Sequence, residues 1–329
     1  MEKSKKIIIL LLSLILVGSL SGCTTDVAKT RDESIPDDAV KMTPETDIYP
    51  PKIHSDEWMD PIPLSGPINI GGSINTAGVE DAPVISPDGN DLYFFFTPDA
   101  NIPANKQLLD GVTGIWWSHK EGDSWSEPIR VLLSENVALD GPVCIHENTL
   151  WFASFRVGNY GEDGDIWIAT NEAGKWKNIE NVGKLLNDEY NIGEMYISGD
   201  KNTIYFDRES MPGSGEQDLF TTTFVDNNWT EPENIGIPVG SLLNDAQPFV
   251  NADETELWFT RLSTKGYAGP AIYRSIKNLN GTWGEPEEIV SNFVGDVGMD
   301  TTGNLYFTHV FVDESFNKIE TDIYVCYRK

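Results

Sequence analysis

The chain has 329 residues, 40% of them hydrophobic, and a formal net charge of −29. A surface so acidic repels phosphate backbones and anionic headgroups, which excludes nucleic acid and an anionic bilayer as partners. It fits a solvated acidic surface, a salty habitat or bound cations.

Lys3, Lys5 and Lys6 open the chain, and Ile7 to Val17 is apolar throughout except for Ser13. The apolar run is too short for a bilayer-spanning helix, which needs about 20 such residues, and it ends in small residues as a secretory signal does. Leu20-Ser21-Gly22-Cys23 resembles the lipobox of prokaryotic lipoproteins. The resemblance implies cleavage before Cys23, lipid on its thiol and an extracytoplasmic, membrane-anchored chain with a signal peptide at 1–22. Residues 23–55 are polar, rich in Asp, Thr and Pro and without apolar periodicity, so they read as a lipidated, disordered tether. The remaining cysteines, Cys144 and Cys326, fall in non-adjacent repeats and are expected as buried free thiols.

Residues 56–329 carry an internal repeat. SPDGNDLYFFF from Ser86, HENTLWFAS from His146, SGDKNTIYFDR from Ser198, NADETELWFTR from Asn251 and DTTGNLYFTH from Asp300 each join a polar turn to an alternating aromatic strand. A second strand, a tight loop and a Trp follow, and Trp125, Trp176, Trp229 and Trp283 lie 51, 53 and 54 residues apart. Four strands per period of this length make a propeller blade. The last unit ends at Tyr327 without its Trp strand, and Asp56 to Ile62 matches Asp123 to Ile129. The expected fold is therefore all-β, a five-bladed β-propeller whose N-terminal strand closes the last blade and leaves no free sheet edge.

The repeat resembles the TolB-type (PD-repeat) propeller family, best at Asn75 to Phe94 and well at Leu186 to Phe206 and Leu243 to Phe259; the units at Asp140 and Asp296 are degenerate. The resemblance implies a periplasmic or surface protein that binds a partner, here a protein or a carbohydrate, and implies binding more than chemistry.

Propeller geometry puts the long loops at 97–114, 155–164, 208–216, 261–269 and 309–321 on one face, called the upper face below. Glu80, Asp81, Asp140, Glu194, Asp245 and Asp296 enter the inner strands there, and Arg208, Arg261 and His309 leave the second strands. Such an acidic ring can hold a sugar, a divalent cation or a zwitterion; the same groups can equally serve as structural ion pairs. Asp81, Asp140 and Glu194 also match the carboxylate order of the five-bladed arabinanase and β-xylosidase glycosidases. That resemblance implies Asp81 as general base, Asp140 as the group tuning acidity and Glu194 as general acid of a hydrolase.

Other chemistry is poorly represented. A sialidase box is approached only at Ser118 to Trp125, with Lys120 in the Asp position, and the four histidines lack metal-ligand spacing. Gly161-Glu162-Asp163-Gly164-Asp165 is a candidate calcium loop without the full EF-hand pattern, and a solvated acidic loop is the other reading. Tyr160, Tyr190 and Tyr267 lie near upper-face loops as candidate sugar-stacking groups, whereas the Trp column reads as packing. Asn228-Trp229-Thr230 and Asn280-Gly281-Thr282 are sequons away from that face.

Overall fold

The computed structural model describes residues 30–64, 74–122, 124–136, 138–161, 164–209 and 217–329. The signal segment, Cys23, Glu162 and Asp163 lie outside the described residues, as does most of the 208–216 loop. Among the described residues no helix is long and apolar enough to cross a membrane.

Each aromatic phrase forms a second strand, and its polar turn leads back to a first one. Ser86 Oγ donates to Asp88 at 2.6 Å, the Gly89 amide donates to Ser86 O at 2.8 Å, and Gly89 takes φ 74°. Ser198 and Asp200 repeat the same bond at 2.6 Å, with Lys201 at φ 61°. These side chains satisfy the amides that a tight turn leaves open.

The strands form successive antiparallel meanders. Val79–Ile85, Asp91–Thr97 and Gly114–Glu121 carry Ser124–Trp125 and Ile129–Arg130 on their outer edge. Leu139–His146, Thr149–Phe155, Asp165–Glu172 and Lys175–Asn181 follow, then Met195–Ile197, Thr203–Glu209 and Gln217–Val225 with Asn228–Trp229 and Glu233–Asn234. Ala246–Val250, Glu256–Leu262, Pro270–Ile276 and Glu287–Ser291 make the next. The last is Val294–Met299, Leu305–Val312 and Lys318–Cys326. Ile62 and Pro63 pair antiparallel with its Val325 and Tyr324. The first strand of each meander packs against the first strand of the next, and Val294–Met299 packs against Val79–Ile85. Four-stranded meanders gathered on their first strands constitute a β-propeller.

The repeated aromatics lock neighbouring meanders together. Trp176 meets Tyr93 edge-on at 6.0 Å, Trp283 meets Tyr205 at 6.5 Å and Trp58 meets Trp258 at 5.6 Å. Trp125 shares a core cluster with Tyr306, and Trp229 and Trp151 pack against another. In the three ring pairs a Trp from the outer edge of one unit reaches the middle aromatic of the preceding unit's second strand. Among the described residues Cys144 and Cys326 are buried and free.

Residues 30–55 depart from the tether expected of their composition. Thr30 caps the short helix Arg31–Ser34 in a reciprocal capping box with Glu33. Arg31 is buried, donating to Ile74 O at 2.7 Å and to Glu80 at 3.1 Å, with its guanidinium over the Phe94, Phe96 and Trp116 rings. Lys41 Nζ reaches Glu320 at 2.7 Å and Asp322 at 2.5 Å. Asp47 meets His309 Nε2 at 2.8 Å, Tyr49 packs on Phe293 and Phe316, and Lys52–Ile53 extends the fourth meander beside Ser291 and Val290. The segment is held by single charged and aromatic side chains, each entering a prepared partner. Composition averages over such anchors and therefore misses them.

Trp58 is only 1% exposed, with Arg274 and Arg328 over its ring, and it joins the N-terminal segment to the last and fourth meanders. Trp58→Ala is expected to cost about 3–5 kcal/mol in urea unfolding. Trp229→Ala, at a partly exposed copy of the position, should cost clearly less. Equal losses would contradict this account of Trp58 as a fully enclosed lock.

Candidate functional site

The ladder register sorts the acidic ring into three columns. Glu80 stands opposite Phe96 and Asp140 opposite Ser154, and Asp245 falls in the same column, one residue before the Ala246–Thr260 pair. Asp81 stands opposite Phe95, one residue further along, and Glu194 falls in its column, just before the Met195–Phe206 pair. Asp296 lies another step on, in a register shift between Gly295 and Gly298, at φ 51°. Matching shifts put Ala82 at φ 48° and Gln247 at φ 57°. A one-residue step turns a strand side chain to the opposite face, and a bulge aims it anew.

The first column is structural. Glu80 is fully buried and accepts from Arg31, from the Thr76 amide at 2.9 Å and from Thr76 Oγ1 at 2.6 Å. Asp140 accepts from Ser154 Oγ at 2.6 Å and from Arg156 at 2.7 Å. Asp245 is paired with Arg261 and with Ser241. Arg208 donates to Tyr190 O at 3.2 Å and covers Phe220, while His309 is buried against Asp47. Glu80, Asp140, Asp245, Arg208, Arg261 and His309 thus serve the fold instead of forming an open ring. The expected Asp81–Asp140–Glu194 trio is not assembled, because the Asp140 register turns its carboxylate to Arg156.

Asp81, Glu194 and Asp296 do converge. With Gln247 they line a central cavity of about 240 Å³ whose other walls include Phe95, Cys144, Tyr196 and Phe249. Gln247 Nε2 donates to Asp296 at 2.6 Å, and the Asp296 amide donates to Gln247 Oε1 at 3.2 Å. A Cβ on Gly295 would come within 2.7 Å of Gln247 Oε1, so a side chain there would displace the Gln247 amide from Asp296. Asp296 is hydrogen-bonded to Asp81, and Lys318 Nζ approaches Asp81 Oδ2 at 3.7 Å. A second cavity of about 410 Å³ shares Glu194 and Gln247 with the first and adds Asp207 and Asp165.

Asp207 escaped the sequence reading. Its carboxylate accepts from the Gln247 amide at 2.9 Å and from the Glu194 amide at 3.2 Å, and it fills the space a Cβ on Gly193 would take. The signal was available: the equivalent residues of the other repeats are Phe95, Ala153, Thr260 and Thr308, and only this copy carries a charge.

Electrostatics follows from this crowding. Burial first, then the charges of Asp207 and Asp81, raise the Glu194 carboxyl above the usual carboxylate range. Glu194 is exposed to solvent where it enters the cavity, so the upward direction, set by the surrounding protein and the nearby Asp207 and Asp81 charges, is what the geometry supports. Burial also raises Asp207, and burial with Glu194 and Asp81 raises Asp296. Burial pushes the Cys144 thiol up to about 12, which leaves it an inert wall. On the N-terminal segment's footprint, burial outweighs Lys41 at Asp322 and pushes that carboxyl up to about 8. Lys41 itself is raised despite its burial, because Asp322 and Glu320 both face it. Both shifts are upward: two carboxylates favour the Lys41 ammonium, whereas burial disfavours the Asp322 carboxylate more than that one ammonium can offset.

The remaining candidates lie elsewhere. Tyr190 is buried with its hydroxyl on Trp229 O, Tyr267 packs on His54, and Tyr160 is half-exposed beside Asp165. The aromatic walls of the cavity are Phe95, Tyr196 and Phe249 instead. Asp165, from the calcium candidate, accepts from the Tyr160 amide at 2.8 Å and from Asn181 at 2.6 Å. Among the described residues no group of three or more His, Cys, Asp or Glu side chains is arranged to hold a metal.

No protein-family model matches the chain, and no curated protein is similar to it. Solved structures similar to it include an α-L-arabinofuranosidase from Podospora anserina in complex with cellotriose, at 11% identity over 81% of this chain and 95% of that one, TM-score 0.45. TolB from Acinetobacter baumannii is similar at 8% identity over 78% and 56%, TM-score 0.42. A xylan β-1,4-xylosidase from Bacillus halodurans is similar at 11% over 75% and 52%, TM-score 0.43. The chain spans about half the length of the last two. Likeness at this level carries neither an activity nor a residue role to this chain.

The raised acids bind protons more tightly in the folded chain than in the unfolded one. Their contribution to stability is complete below the ordinary carboxylate range, about pH 4, and is lost as pH rises through the raised values. With Asp322 pushed up to about 8, urea melts are expected to show stability falling from mildly acidic pH toward that value. Asp296→Asn, which removes one raised acid, should make the fall shallower. Stability that climbs over this interval would contradict the assignment.

Proposed function

We propose that the chain is a five-bladed propeller, held outside the cell membrane by lipid on Cys23, that binds a small carbohydrate in its central cavity without catalysing a reaction. The blade count is supported by the repeat, by the three Trp ring pairs between successive units, and by the core cluster in which Trp125 of the first unit joins Tyr306 of the final one. The TolB-like repeat and the lipobox-like Leu20-Ser21-Gly22-Cys23 support an extracytoplasmic binding protein.

One observation carries the ligand class. Three acids and Gln247 meet in a cavity whose remaining walls are largely aromatic and aliphatic. A sugar ring has matching faces, with hydroxyls at its edge and C–H groups on its flats. Burial and mutual repulsion raise Glu194 and Asp296, which disfavours crowding full charges there and suits neutral hydroxyls better than a bare anionic cage would. At about 240 Å³ the cavity is smaller than the roughly 300–1,000 Å³ of drug-sized sites. One ring, or the end of a glycan, fits that size. A protein partner on the upper-face ring is the weaker reading, since Glu80, Asp245, Arg261 and His309 are already engaged within the chain.

A hydrolase is the second reading, favoured by Glu194, a raised acid in the same cavity as Asp81. Here Asp296, not Asp140, would be the third carboxylate. The separating experiment presents arabinan, xylan and related oligosaccharides to wild type and Glu194→Gln, following calorimetric binding and reducing ends together. The binding reading expects saturable heat, weakened in the variant, and no new reducing ends. Reducing ends released by wild type and lost in Glu194→Gln would establish the hydrolase instead.

A further inference from the structure

We propose that the outer, upper corner of the first meander rests on the bilayer, with Leu109 and Leu132 at the contact; this rests on the reading of Cys23 as the lipidated residue. The argument begins with the leash. Six residues lie between Cys23 and Thr30, so the seven steps from one to the other span at most about 25 Å when fully extended. From Thr30 onward the chain is docked, by its capping box and by buried Arg31. The lipid therefore enters the membrane close to where Arg31 sits, and the domain is not free to drift a 30-residue tether's length away.

Arg31 marks one corner of the molecule. Its guanidinium lies over Trp116, whose indole N–H donates to Val112 O at 3.0 Å. Trp116 pairs across the ladder with Arg130, which donates to Thr113 O at 2.9 Å. Leu109 and Leu132 flank this network on the two loops beside it, 70% and 67% exposed, and they line one surface groove of about 280 Å³. Exposed leucines occur elsewhere on the chain too, and what distinguishes these two is their place beside the docked start of the N-terminal segment. The leash length decides the occupant, because it holds this corner within reach of the headgroups. The contact is apolar, since a chain of net charge −29 gains nothing electrostatically from anionic lipid.

The test uses the full chain, purified with its lipid and reconstituted into phosphatidylcholine vesicles that carry a nitroxide lipid quencher. Leu109→Cys, Leu132→Cys and Leu279→Cys are labelled with an environment-sensitive dye; Cys144 and Cys326 are buried, and on the lipoprotein reading the Cys23 thiol is blocked by its thioether-linked lipid. Leu279 is fully exposed on the turn joining the third and fourth strands of the fourth meander, at the opposite end of its strands. The proposal expects the dyes at 109 and 132 to lose most of their emission while the dye at 279 keeps it. Equal emission at all three positions in a vesicle-bound chain overturns the contact and leaves the anchor standing. Mass spectrometry of the same sample reads the lipid on Cys23, and a chain without it overturns anchor and contact together.

Discussion

The contact on which this architecture depends is a Trp ring from one unit's outer strand, seated against the middle aromatic of its neighbour's second strand. Trp176 on Tyr93, Trp283 on Tyr205 and Trp58 on Trp258 are copies of one geometry written by the repeat. Aromatic pairs of this kind bury large areas and favour edge-on approach, so each copy sets both the spacing and the tilt of adjacent sheets. The inner strands are then held at a distance from one another that side chains only partly fill. The central cavity is what that packing leaves open.

Much of this was legible in the sequence because it repeats. Alternation gave the strands, the Ser-x-Asp turns gave their ends, and the Trp spacing gave the unit. Trp58 exposed the match between the N-terminal strand and the unfinished last unit. The site was less legible, since its groups lie where the repeat is irregular. Aligning acids by sequence alone grouped Glu80, Asp140 and Asp245 with Asp81, Glu194 and Asp296. The ladder separates them by one residue, and a bulge that no residue type announces brings Asp296 inward. Asp207 was hidden among aromatic-strand residues for the opposite reason: it was read as part of the repeat although its type breaks it.

The N-terminal segment failed the compositional reading for a different reason. Disorder follows from composition when a segment must bury apolar area to stay folded. Residues 30–55 instead place Arg31, Lys41, Asp47 and Tyr49 singly into sites on the first, last and fourth meanders. Buried ion pairs of this sort add little net stability but are costly to break on one side, so they specify a position more than they strengthen it. Arg31 and Asp47 engage Glu80 and His309 of the upper-face ring, and Arg156 and Arg261 engage Asp140 and Asp245, which moves the reading of function from the rim to the central cavity.

The central claim is that Asp81, Glu194 and Asp296 form the binding site. The most direct measurement is a crystal structure of the chain soaked in a mixture of short oligosaccharides. The account predicts sugar density among those three carboxyls, its ring against Phe249 or Tyr196. Density on the upper rim beside Arg208 or Tyr160, with the central cavity holding only water, would contradict it.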